Sequence, residues 1–133
     1  MLTLLLASLL AVDGGAPRPE DGILGKWKGT STCVRFPGNE ACNDEVVEYV
    51  FERRADGLIV QHAFKDVRGT MESMFDLEPF VWDAKAQRWT ADFQNPRVHI
   101  RWQFKLENGA LTGSCVDLPE SKGVTRRTVR VTR

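Results

Sequence analysis

The residues that could carry out acid–base or nucleophilic chemistry are few in this chain, and their spacing matches no catalytic motif. The sequence contains two histidines and three cysteines. His62 and His99 fall on opposite faces of the predicted sheet, so they cannot bind one zinc ion together, and Cys-x-x-Cys and His-x-x-x-His spacings are absent. Gly113-Ser114-Cys115 lacks the glycine spacing and the strand-to-helix turn of a nucleophile elbow. We therefore expect a protein that is not an enzyme and has no metal and no cofactor.

Several polar and aromatic side chains favour a binding cavity instead. The alternation of apolar and polar residues places Tyr49, His62 and Ser73 on the face of the sheet that we predict to be inward. A few polar groups among apolar neighbours are typical of small-molecule pockets, and they would equally suit a polar network around a buried water. We predict that six residues line one continuous cavity: Tyr49, His62, Phe64, Ser73, Trp89 and Trp102.

Short alternating segments must hold these side chains in position. Residues 98–106 form the clearest strand, with an apolar residue at every second position. Asn108-Gly109 follows as a type I′ turn signal, and Asp56-Gly57 is a second two-residue hairpin signal. The segment after Asp56-Gly57 carries four residues on the face that we predict to be inward: Leu58, Val60, His62 and Phe64.

These segments predict the fold class. They are joined by connections of hairpin length, and no stretch of ten or more residues beyond the N-terminal run has the period of a helix. Sequential hairpins give an antiparallel meander, and closure into a barrel removes its exposed edges. The sequence therefore predicts an all-β fold, a single antiparallel up-and-down β-barrel of eight or nine strands over residues 17–133. The count depends on whether Pro79 divides residues 70–83 into two strands.

The N-terminal run predicts export. Residues 1–12 are apolar and uncharged, and the run is shorter than the roughly 20 apolar residues that span a bilayer. Gly14 and Ala16 are small residues suited to a cleavage site. We expect residues 1–16 to be a signal peptide and the remaining chain to be secreted or periplasmic, without a stable membrane anchor. A buried first element of the fold is the alternative interpretation of this run.

The cysteines agree with an oxidising compartment. Cys33 and Cys42 bracket a stretch with turn residues at positions 37–39, so a disulfide bridge between them would close a hairpin loop. Cys115 is then left over as a small buried side chain. A pairing of Cys33 with Cys115 remains open from the sequence alone.

The first predicted strand begins with Leu24-Gly25-Lys26-Trp27-Lys28-Gly29. This Gly-x-Trp, preceded by a short turn-like segment, resembles the first motif of lipocalins and related calycins, and the wider pattern also looks like uncharacterised secreted bacterial proteins of this size. The resemblance implies that Trp27 closes one end of the barrel and that an arginine of the last strand packs over its ring. Arg127 is the matching candidate and Arg126 is the alternate. A counterpart of the second lipocalin motif is missing.

Charge and resemblance together restrict the function. Lys plus Arg equals Asp plus Glu at 18 each, so the chain lacks the charge excess of a nucleic-acid-binding protein. We expect a secreted or periplasmic, non-enzymatic binding protein that takes a small, largely apolar ligand into the barrel. The alternative is a protein-interaction module that resembles periplasmic protease inhibitors, which are similar in size, barrel, Gly-x-Trp and single disulfide. Such a protein would have a protein partner instead of a small-molecule ligand.

Overall fold

Alternating side chains and tight turns build eight antiparallel strands in the part of the chain that the computed structural model describes, residues 18–133. Each strand pairs with its neighbours in the chain, and the first pairs with the last, so the sheet closes into an up-and-down barrel. This confirms the predicted all-β architecture. The strands are β1 Gly25–Cys33, β2 Glu45–Arg53, β3 Ile59–Val67, β4 Thr70–Asp83, β5 Arg88–Gln94, β6 His99–Glu107, β7 Ala110–Asp117 and β8 Thr125–Thr132.

Helical structure within residues 18–133 is limited to two 3₁₀ turns, Pro19–Ile23 before β1 and Glu120–Lys122 before β8. The first of them agrees with the expected turn-like segment ahead of the Gly-x-Trp. No helix in this part of the chain is long and apolar enough to cross a membrane. The predicted signal peptide, residues 1–16, lies outside the described residues.

One end of the barrel is closed by the first 3₁₀ turn and two tryptophans. The indole Nε1 of Trp27 donates a hydrogen bond to the Ile23 carbonyl at 2.8 Å, and the indole Nε1 of Trp89 donates to the Glu20 carbonyl at 3.0 Å. Both rings are almost fully buried. The 3₁₀ turn therefore sits under the barrel as a plug whose backbone is held by the core aromatics.

The arginine over Trp27 is Arg133, so the predicted Arg127 and its alternate Arg126 are wrong for this role. The Arg133 guanidinium carbon lies 4.1 Å from the Trp27 ring centroid. Antiparallel pairing places Thr132 beside Lys28 and Arg127 beside Cys33. The start of β1 is therefore next to the end of β8, and Arg127 lies at the other end of the barrel.

The position of Arg133 over Trp27 requires the glycine of the Gly-x-Trp motif. Gly25 has a φ of 117°, which L-residues with side chains rarely adopt. A Cβ at this position would lie 2.5 Å from Nη1 of Arg133. Two further hydrogen bonds of 2.8 Å run from the Arg133 guanidinium to the carbonyls of Gly22 and Leu24. Gly25 thus leaves the space through which the arginine reaches the chain before β1.

The β2–β3 loop changes which residues of β3 face the core. The turn ends at Gly57 (φ 88°), whose amide donates a hydrogen bond to the Arg54 carbonyl. As a result, Arg53 pairs with Ile59. A two-residue Asp56-Gly57 turn would instead pair Arg53 with Val60. A shift of one residue moves every side chain of a strand to the opposite face. The inward face of β3 is consequently Ile59, Gln61 and Ala63, and the predicted inward placement of Leu58, His62 and Phe64 is wrong.

The barrel has eight strands because β4 runs through Pro79 without interruption. Register shifts against β3 occur between Ile59 and Gln61 and between Ala63 and Phe64. On its other side β4 pairs with β5 at three positions only, from Val81 to Asp83. Every other neighbouring pair of strands has at least six paired positions.

We expect Trp27→Ala to lower the free energy of unfolding by about 3–5 kcal/mol, because it removes a large buried aromatic side chain. Arg133→Met should cost about 1–2 kcal/mol through loss of the cation–π contact and the backbone hydrogen bonds. Chemical denaturation followed by tryptophan fluorescence measures both. Arg130→Met, on the exposed face of β8, is the matched control and should be nearly neutral; equal effects of Arg130→Met and Arg133→Met would contradict the assignment of Arg133.

Candidate functional site

The open end of the barrel is shaped by the loop between β1 and β2. The predicted disulfide between Cys33 and Cys42 is present, with a Cα–Cα distance of 6.1 Å. The side-chain amide of Asn39 donates to the carbonyls of Val34 at 2.8 Å and Arg126 at 3.2 Å. These bonds attach the loop to the start of β8, so the loop covers part of the opening.

Arg127 organises this end through a set of hydrogen bonds. Its Nε donates to the Ser31 hydroxyl at 2.7 Å, and its Nη2 donates to the Asn43 carbonyl at 2.6 Å and to Glu45 Oε1 at 3.2 Å. Glu45 also forms an ion pair of 3.7 Å with Lys65. The charge of Arg127 is therefore matched by a carboxylate, and the guanidinium fixes the disulfide loop against the strands.

A cavity of about 430 Å³ lies beside this network, and we call it the mouth pocket. One wall comes from the disulfide loop and the other from the inner faces of β6, β7 and β8. The residues that line it are Gly38, Asn39, Ala41, Cys42, Ile100, Trp102, Cys115, Arg126 and Arg127. Burial raises the pKa of the Cys115 thiol to about 12, so this side chain is a neutral, weakly polar part of the wall at neutral pH.

A second cavity of about 240 Å³ opens through the barrel wall between β4 and β5, and we call it the side cleft. Its lining is almost entirely apolar and comprises Phe75, Asp76, Leu77, Phe93, Ile100 and Trp102. The side cleft and the mouth pocket share Ile100 and Trp102. The Trp102 ring is nearly parallel to that of Phe104, with ring centroids 6.4 Å apart and an interplanar angle of 8°, and it lies where the two spaces meet.

The six residues predicted to line one cavity divide into two groups. Tyr49, Trp89 and Trp102 are buried inside the barrel as predicted. Trp89 belongs to the closed end, where it packs on Trp82 at 4.6 Å, and only Trp102 lines either of the two cavities. Tyr49 lies deeper, beside the Ser31 hydroxyl, and burial raises the pKa of its phenol. A ligand-binding role stays a prediction for these three.

The other three residues lie outside the barrel, so the predicted continuous set is wrong. His62 and Phe64 pair with Val50 and Glu48 of β2 on its outer face as a result of the register described above. Ser73 is exposed and pairs with Phe64, because the irregularity between Ala63 and Phe64 shifts β4 relative to β3. Besides Trp102, the aromatic residues that line the side cleft are Phe75 and Phe93.

His62 bridges two carboxylates on the outer surface of β2, β3 and β4. Its Nδ1 lies 2.7 Å from Asp76 Oδ1, and its Nε2 lies 2.7 Å from Glu52 Oε1. Hydrogen bonds to Asp76 and then to Glu52 raise the pKa of His62 above its ordinary value of 6.5. The protonated ring therefore ties three strands together from outside.

Gln61 is an interior residue that the sequence analysis did not identify. Its side chain is fully buried, and neither amide atom has a hydrogen-bond partner within residues 18–133. It pairs with Phe51 of β2 and with Leu77 of β4, and Leu77 lines the side cleft. The sequence of β3 allows two alternating patterns. The pattern that places Ile59, Gln61 and Ala63 inward would have identified Gln61.

Comparison with known proteins adds no assignment. No protein-family model matches this chain, and no curated protein is significantly similar to it.

The His62 bridge predicts a pH dependence of stability. Because the pKa is raised in the folded state, the bridge contributes fully below about pH 6.5 and its contribution is lost as the pH rises through the folded pKa. His62→Gln should remove this decline, which sets in as the pH rises above about 6.5, as measured by denaturant midpoints across a pH series. His99→Gln, an exposed histidine on β6, is the matched control. An unchanged pH profile in His62→Gln would contradict the bridge.

Gln61→Met replaces an unpartnered buried amide by an apolar side chain of similar shape. We expect it to raise the free energy of unfolding by about 1–3 kcal/mol, because the desolvation cost of the amide disappears. Thermal and chemical unfolding measure the change. If Gln61→Met is destabilising, the amide is hydrogen-bonded in solution, for example to a buried water.

Proposed function

We propose that this protein is an exported, non-enzymatic binding protein that takes a small, largely apolar molecule at the open end of its barrel. The observation that carries the proposal is the junction of the mouth pocket and the side cleft at Ile100 and Trp102. A ligand of about the volume of the mouth pocket would lie within the usual range of roughly 300–1,000 Å³ for small-molecule sites.

The chemistry of the walls supports an uncharged ligand. Ile100, Trp102 and Cys115 offer apolar surface for its body. Both arginines of the pocket already have a carboxylate partner: Arg126 pairs with Asp117, and Arg127 pairs with Glu45, which Lys65 shares. An anionic ligand would therefore have to displace existing ion pairs, whereas an apolar molecule gains about 25 cal/mol per Å² of apolar surface removed from water.

The closed end supports a lipocalin-like (calycin) relationship as part of this proposal. The motif Gly25-x-Trp27 follows a 3₁₀ turn, and Trp27 lies under an arginine that directly follows β8. These are the features that the resemblance implied, with Arg133 in the place assigned to Arg127.

The disulfide supports the export step. A bridge between Cys33 and Cys42 persists in oxidising compartments and is rare in the cytosol. A secreted or periplasmic location would agree with a signal peptide at residues 1–16. Separation of the chemically capable residues favours binding over catalysis, since Cys115 lies inside the barrel and His62 lies outside it.

The proposal is tested by titrating the protein with the neutral apolar probe N-phenyl-1-naphthylamine and following energy transfer from tryptophan. We expect saturable binding that Ile100→Ser weakens about tenfold, because it removes apolar contact from both cavities. Leu106→Ser, an exposed apolar residue at the closed end of β6, is the matched control and should leave affinity unchanged. Unsaturable binding, or an equal loss in both variants, would refute a site at the open end. Native mass spectrometry of protein from its own host would then identify a retained ligand.

A further inference from the structure

The barrel wall is incomplete between β4 and β5. Their pairing covers Val81 to Asp83 on β4 and ends there. Above it, residues 70–80 of β4 are paired only with β3, and residues 91–94 of β5 are paired only with β6. Pro79 lies within this stretch of β4 and has no amide hydrogen to donate to a neighbouring strand. We call this gap the wall opening.

Two strand edges face each other across the wall opening. A β-strand directs backbone N–H and C=O groups to both sides, so each edge presents groups that a further strand would satisfy. Addition of an extended peptide to such an edge is a recurrent mode of protein recognition, in which backbone bonds give affinity and alternate side chains give specificity.

The floor beneath the wall opening suits alternate apolar side chains. It is the side cleft, where Leu77 and Trp102 are almost fully buried and Phe93 at the rim is 42% exposed. Phe93 follows Trp89 and Ala91 on the inward side of β5. It is exposed to solvent because β4 diverges from β5 at this point. An apolar side chain of an added strand would cover it and reach Trp102.

The rim of the wall opening is acidic. Residues 70–83 of β4 contain four carboxylates and no lysine or arginine, and residues 91–94 of β5 add Asp92. Four of the carboxylates meet cations: Asp76 meets His62, Glu78 meets Arg54, Asp83 meets Arg88 and Asp92 meets Arg101. These cations are shared with the further carboxylates Glu52, Asp56 and Glu120, so an acidic excess remains. Glu72 lies opposite Lys65 of β3, but Lys65 forms its ion pair with Glu45, and Glu72 has no ion-pair partner within residues 18–133. A second copy of this chain would bring like charges together at these edges, whereas a basic segment would be attracted.

We propose that the wall opening binds an extended segment of a partner protein by strand addition, with apolar side chains directed to the side cleft and lysine or arginine side chains directed to the acidic rim. This is an interaction site for a protein partner at the barrel wall, and it shares the side cleft, including Ile100 and Trp102, with the small-molecule site proposed above. The added segment would complete the sheet as a ninth strand.

The probe is the fluorescein-labelled peptide acetyl-Lys-Val-Lys-Val-Lys-Val-Lys-amide, whose valines alternate with lysines. We expect binding that raises fluorescence anisotropy and protects backbone amides of residues 70–80 and 91–94 from hydrogen exchange. N-methylation of two successive central residues blocks both edges of the peptide without changing its charge. It should weaken binding at least about tenfold, since strand pairing depends on the backbone amides.

Protein variants locate the site. Phe93→Lys should abolish peptide binding, because it removes the apolar rim and adds a repelling charge. Leu106→Lys makes the same change at an exposed apolar residue of the closed end and should bind the peptide as the unaltered protein does. Circular dichroism and the unfolding midpoint establish that both variants are folded.

Three results would overturn the proposal. The first is equal binding of the N-methylated peptide, which would mean attraction by charge alone. The second is protection from exchange at strands other than β4 and β5. The third is self-association of the protein that Phe93→Lys abolishes while the peptide does not bind, which would make the wall opening an interface between copies. The N-phenyl-1-naphthylamine titration tests the small-molecule site alone, and the peptide measurements test the wall opening alone. Failure of one proposal can therefore be distinguished from failure of the other.

Discussion

Closure of the sheet depends on the contact among Gly25, Trp27 and Arg133. The Trp27 ring fills the closed end, the Arg133 guanidinium covers that ring, and its hydrogen bonds reach the backbone of the 3₁₀ turn. This one arrangement joins the first and last strands and holds the plug in place. Since the core aromatics Phe51, Phe80 and Phe104 pack edge to face above it, the closed half is filled by side chains.

The two halves of the barrel are built differently. The closed half is a continuous aromatic core. The open half contains Arg127, Glu45 and Lys65, joined by ion pairs, and leaves space on either side of Trp102. The divergence of β4 from β5 is therefore tolerated, because the sheet is already closed beneath it at Val81 to Asp83.

Local alternation was enough to predict the fold and much of the interior. Uninterrupted period-two patterns placed Tyr49, Trp89 and Trp102 inside correctly. β3 failed because its segment has apolar residues on both phases, so the length of the loop at residues 54–58 decides between His62 and Gln61. Arg133 could not be distinguished from Arg127 without the register between β1 and β8. The side cleft arises because β4 and β5 pair along only part of their length. Incomplete pairing does not change the alternation of apolar and polar residues in either strand, so the sequence could not predict the cleft.

The pairing of β1 with β8 also sets an order of events in folding. The Arg133 guanidinium binds the Leu24 carbonyl across 109 positions of the chain. Bringing such distant segments together costs more loop-closure entropy than any hairpin in the barrel, so closure must follow the local pairings. An unfolded chain would therefore form its seven sequential strand pairings first and become a barrel only when β8 reaches β1. Until then, β1 and the last strand formed each have an outer edge without a partner, which is open to aggregation or to a chaperone.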